Sequence, residues 1–217
     1  MIKTVNSIPN DFDQNIHIVI NDKDINVAAR NAIMLFIIYT VDDPDKAADL
    51  IIHLWYSSLL TESHMETLQT VVLPIIQRCC DKMADRPAWG LLSHTWTLPS
   101  GDKLNVAFCK DDWMRLLDYL RVPAGLTRQR ADEIRRCVTL QPTRRDYHET
   151  LFSVMKPGER VAREKFLNDG LLLPFGASTE QFTVPNPYVT PQTRSRCANT
   201  SQDILSAAQQ VAHGRSL

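Results

Sequence analysis

Asp22 and Asp24 sit between a short β-branched run, Ile16-His17-Ile18-Val19-Ile20, and a helical stretch that carries Arg30-Asn31. A carboxylate at the end of a strand has one well-known use in Rossmann-like sheets, where it accepts hydrogen bonds from the hydroxyls of a ribose. Two acceptor oxygens match a vicinal diol. The same residue types also serve as turn and cap residues, because a short carboxylate reaches nearby backbone N–H groups. Holding the other end of a nucleotide needs a preceding unit of strand, glycine-rich turn and helix, roughly 25–30 residues, whose amides meet the anionic part of the ligand. Fifteen residues precede Ile16 and none is glycine. The expectation is a site that grips one end of a cofactor at most, through Asp22 and Asp24, and no cofactor in this chain.

Other residues capable of chemistry are scattered. Arg135-Arg136 and Arg144-Arg145 are the densest basic pairs, and all four are candidate polyanion contacts. On helices such pairs also form ordinary solvated faces. His53 and His64 have no partner at metal-ligand spacing, and His53 lies among apolar residues, which suits a structural role. Trp55, Trp89, Trp96 and Trp113 are expected in the core, since a base-stacking platform would interleave them with Lys and Arg. The sequence contains no G-x-S-x-G, P-loop or H-E-x-x-H. Its five cysteines include no C-x-x-C pair, so neither a disulfide framework nor a zinc site is expected. Cys79 and Cys80 fall on an apolar helix face.

The elements that would position these residues follow from hydrophobic period and punctuation. Ile16–Ile20 is nearly continuously apolar, as a parallel strand covered on both faces would be. Asp24 can cap the helix that runs to Val41, and Asp43-Pro44 starts the next one. Ser63-His64-Met65-Glu66 resembles a capping box, and Met65, Leu68, Val72, Ile75, Cys79 and Met83 trace one helix face, which Pro74 should bend. Trp96 and Leu98, then Leu104, Val106 and Phe108, alternate about a Pro99-Ser100-Gly101-Asp102 turn and predict a β-hairpin. Asp111 begins another helix. Helices follow over 127–140, 143–155 and 159–168, and Gly170–Gly176 is an apolar run expected to be buried and extended. Met1–Gly176 is read as one domain, and 177–217 as a polar, largely disordered tail with a short helix at 201–212.

With 217 residues, 44% of them hydrophobic, the chain can bury a sizeable core. A net charge of −1 gives no global pull toward nucleic acid or membrane, but acidic residues dominate 1–120 and basic ones 121–165. The longest apolar run, Ala32–Val41, is too short to span a bilayer. The N-terminus lacks a signal-peptide pattern, so a cytoplasmic location is expected.

Ile18-Val19-Ile20-Asn21-Asp22, Val27-Ala28-Ala29-Arg30-Asn31, His53-Leu54-Trp55-Tyr56-Ser57, Arg144-Arg145-Asp146-Tyr147 and Asp169–Gly176 together resemble a fungal family of uncharacterised domains. That family often occurs near MYND-type zinc fingers. It is similar to the N-terminal, methyltransferase-like domain of dynein axonemal assembly factor 3 proteins. The likeness covers about residues 1–188. It implies an α/β fold, an incomplete Rossmann-like core with helical insertions and a β-hairpin, with Asp22 on its second strand. Family members carry a Gly-Asp-x-Arg-Asn segment ahead of the position of Met1, and the chain here reads as N-terminally truncated. S-adenosylmethionine would then enter only with a longer form. The expected function is a non-catalytic interaction or assembly domain with a protein partner. A homodimer through the incomplete sheet edge is one form of it. The alternatives are a methyltransferase-like enzyme lacking its first βα unit, and polyanion binding through the basic helices, although nucleic acid is not the expected partner.

Overall fold

The computed structural model describes residues 7–9, 11–12, 15–98, 101–174 and 176–188. Helix α1 (Ile25–Thr40) starts where the sequence says it should, with the Asp24 carboxylate accepting from Asn26 N at 2.9 Å. It buries Ala29, Ala32, Ile33, Phe36 and Ile37. Helix α2 (Pro44–Tyr56) has Asp43 as its cap and proline at its first position, where a missing N–H costs nothing. Strand β1 (Leu59–Thr61) follows at once.

Helix α3 (Glu62–Thr67) is capped by Thr61, whose hydroxyl accepts from His64 N at 3.1 Å. The capping box is therefore Thr61 with His64, two residues ahead of the expected one. The helix then widens into a π-turn (Leu68–Val72) before α4 (Leu73–Lys82). Pro74 explains the widening: its ring lacks an N–H and crowds the carbonyl four residues back, so the preceding turn opens. The predicted bend at Pro74 takes this form.

Strands β2 (Leu91–Thr97) and β3 (Lys103–Cys109) form the expected hairpin, in antiparallel register from Leu91↔Cys109 to Thr97↔Lys103. Helix α5 (Lys110–Asp118) buries Trp113, Leu116 and Leu117. Helix α6 (Arg128–Thr139), a 3-10 turn (Pro142–Arg144), α7 (Arg145–Val154) and α8 (Pro157–Asp169) complete the basic half. Strand β4 (Phe182–Pro185) returns to pair antiparallel with β1. One core joins α1, α2, α3, α4 and α5 under the hairpin, with Phe36 edge-on to Trp96. A smaller cluster gathers Leu59, Ala131, Leu171 and Phe182.

This is a mixed helix and strand fold, with two two-stranded antiparallel sheets among the described residues. It departs from the sequence reading at four places, one of them Gly170–Gly176, where Gly170 and Leu171 are buried but Leu172, Pro174 and Gly176 are exposed. Ile16–Ile20 is not a covered parallel strand: residues 15–22 are neither helical, turned nor bent, pair with no strand, and are exposed. The β-branched pattern specifies a liking for strand, but only pairing with a neighbouring strand turns it into a sheet. The polar tail expected from residue 177 onward is packed in its first part, where Phe182, Asn186 and Tyr188 are buried. The tail's remaining part, 189–217, with its expected helix, lies outside the described residues. Of the four tryptophans, Trp113 is in the core, whereas Trp55 and Trp89 are exposed.

Candidate functional site

Asp22 stands at a groove of about 630 Å³. One wall is the extended stretch Ile16–Lys23, the other is β3 from Lys103 to Phe108, and Ala28, Ala32 and Leu35 of α1 form the floor. The opposite wall comes from β3, far downstream in the chain, and is not part of the sequence reading. Asp22 Oδ1 accepts from Asp24 N at 2.8 Å, so the two expected cofactor-facing residues are adjacent. Only Asp22 lines the groove. The Asp24 carboxylate is held by its cap, accepting from both the backbone and the side-chain amide of Asn26.

The basic pairs are distributed differently from each other. Arg135 is buried, with its guanidinium donating to Asp132 Oδ1 at 2.6 Å and to the carbonyls of Leu167 and Asn168. It ties α6 to the end of α8. Arg136 is exposed and pairs with the other Asp132 oxygen at 2.7 Å, and Arg145 pairs with Glu149 at 2.7 Å. Arg144 closes the 3-10 turn ahead of α7. A patch of three free cations is therefore not what Arg135, Arg136 and Arg145 make.

A second constellation was not singled out in the sequence. Asp49, His53 and Ser57 follow one another at four-residue steps, which puts them on one face of α2 and its cap. Ser57 Oγ lies 2.8 Å from His53 Nδ1, and His53 Nε2 lies 3.4 Å from Asp49 Oδ1. The wiring is that of a hydroxyl, imidazole and carboxylate relay. Access decides against a nucleophile: Ser57 is 2% exposed, and its oxygen accepts from Leu172 N at 3.3 Å. His64 joins from α3, with Nε2 at 2.8 Å from Asp49 Oδ2 and its ring stacked on His53. Phe182 of β4 covers His53 at 4.6 Å between centroids. Burial holds the His53 pKa below its ordinary value, with Asp49 opposing and His64 adding to the depression. The relay fastens α2 to α3, β4 and the segment after Gly170. Among the described residues no group of three or more His, Cys, Asp or Glu could hold a metal ion. The Cys80 thiol, pushed up to about 11 by burial, is a core residue as the sequence suggested.

The comparisons with known proteins bear on the N-terminal part. A family model described as a domain of unknown function (DUF4470) matches residues 1–60, which hold the exposed stretch, α1, α2 and the start of β1. The chain is similar to that family over this part. No curated protein and no solved structure matches it. Among the described residues, no helix is long and apolar enough to cross a membrane.

Proposed function

We propose that this chain is an interaction or assembly domain that docks a protein partner, rather than a catalyst. One observation carries the reading: Ile16, Ile18, Val19 and Ile20, interrupted only by His17, leave an exposed apolar ledge, with Val19 87% exposed. Scattered apolar residues on a surface need no explanation, but a contiguous ledge on straight backbone is the mark of a surface that meets another protein. The internal use of Ser57, His53 and Asp49 supports the same reading, since the nearest thing to a catalytic relay is a fastening. Several segments resemble a fungal family of uncharacterised domains that is in turn similar to the N-terminal domain of dynein axonemal assembly factors, which fits an assembly role.

The test is the size of the full chain in an extract of its source cells. The wild type should elute well above its 24.7 kDa mass, and Val19→Asp should return it to the monomer position with an unchanged melting temperature. Equal elution of the two would overturn the docking reading. A second reading is an S-adenosylmethionine-dependent methyltransferase-like enzyme. It draws on Asp22, which lines a groove of ligand-binding volume. Micromolar binding of S-adenosylmethionine in isothermal titration would favour it over the first.

A further inference from the structure

The hairpin register tells which backbone groups of β3 point away from β2. Lys110 N donates to Gly90 O at 2.9 Å and Leu98 N to Asp102 O at 2.8 Å, one at each end of the ladder. Antiparallel pairs alternate between exchanging both bonds and exchanging none. Leu92↔Phe108, His94↔Val106 and Trp96↔Leu104 therefore exchange bonds, and Lys103, Asn105 and Ala107 turn their N–H and C=O groups away from β2. That outward edge faces the groove and has no strand partner among the described residues. Across the groove, Ile16–Ile20 presents a second row of backbone groups without a ladder. Both walls are thus extended chain without a strand partner among the described residues, and the floor between them is the flank of α1 that carries Ala28, Ala32 and Leu35.

Size and charge say what fits. A strand spacing of about 4.8 Å, a rise of about 3.3 Å and a layer depth of about 10 Å give each strand residue about 160 Å³. The groove's 630 Å³ then has room for about four strand residues. Lys103 lines it where β3 begins and Asp112 lines it beyond the end of β3. A segment running antiparallel to β3, with a basic residue first and an acidic residue last, is matched at both ends. We propose that the docked partner supplies an extended strand of this kind, which adds to the free edge of β3 between it and Ile16–Ile20. The proposal rests on the docking reading and names what is docked. Main-chain bonds to Lys103, Asn105 and Ala107 would hold the strand, and every second side chain would face Ala28, Ala32 and Leu35.

The probe is a fluorescent peptide, Lys-Val-Thr-Ile-Thr-Glu, titrated with the full chain and followed by anisotropy. A charge-reversed peptide, Glu-Val-Thr-Ile-Thr-Lys, and versions N-methylated at alternate residues serve as comparisons. Saturable binding is expected for the first. N-methylation in the phase that faces β3 should weaken it by at least about tenfold, as loss of hydrogen bonds at a desolvated edge implies. Ala107→Pro removes one outward donor without touching a bond to β2, and it should weaken binding to a similar degree. Ala107→Ser should not. No saturation with either charge order, or binding indifferent to N-methylation, overturns strand addition whatever the variants do. If Val19→Asp dissolves the assembly in extract but Ala107→Pro leaves it intact, the docking reading stands and the strand alone is lost.

Discussion

His53 is the residue in which burial, hydrogen bonding and charge meet. Its ring is enclosed by α2, α3 and β4, facing Asp49 and His64, and desolvation is the largest influence on its proton affinity. A histidine whose pKa is depressed on folding binds protons more readily in the unfolded chain, so the folded state loses ground as pH falls below the ordinary 6.5. The urea midpoint should fall between pH 7.5 and 5.5, and His53→Gln should flatten the dependence. A wild-type midpoint level across that range would contradict the burial argument. The structural role of His53 was legible from its apolar neighbours, as were the caps at Asp24 and Asp43, because each depends on contacts within a few residues. Ser57 was not legible as part of a relay. The four-residue spacing to His53 and Asp49 is visible in the sequence, but what makes it a fastening is Leu172, whose N–H reaches the hydroxyl from far along the chain.

Among the elements, the end of α8 is the place where one residue type is required. Gly170 caps the helix at φ +69°, a left-handed conformation that side chains rarely adopt. A Cβ there would also strike Arg135 and Ser58 Oγ. Gly170→Ala should cost about 1–3 kcal/mol, seen as a lower urea midpoint, and an unchanged midpoint would show that Arg135 yields freely. Glycine and proline punctuation made most elements readable: the hairpin about Gly101, the start of α2 at Pro44, the disturbance ahead of Pro74. Ile16–Ile20 was misread for the complementary reason. A strand's identity is completed by its neighbours, and a nearly continuous apolar run of five residues cannot say whether those neighbours come from the same molecule.

For the molecule as a whole, the two halves differ in how firmly they are held. Helices α7 and α8 contain no buried residue, whereas α1 buries five. Backbone amides in α7 and α8 should exchange with deuterium well before those of α1, since opening them exposes little apolar surface. Equal protection by mass spectrometry would mean that something else covers them. Helices α7 and α8 both lie in the basic half, but α6, also basic, buries Ala131 and Arg135, so charge and burial divide the chain at different points. The place of residues 182–188 was not visible. A four-residue strand in a polar, proline-bearing context gives no periodic signal, and it is burial against β1 and the histidine pair that recruits it.

The pairing of β1 with β4 has a consequence for the order in which the chain folds. Leu59–Thr61 waits for residues 182–185, and Asn186 then donates to the carbonyls of His53, Leu54 and Ser57 at the close of α2. During synthesis, the Asn186 bonds and the Phe182 cover over the imidazole pair cannot form until residue 186 has emerged. The knot is tied late, by the segment whose composition least announces it.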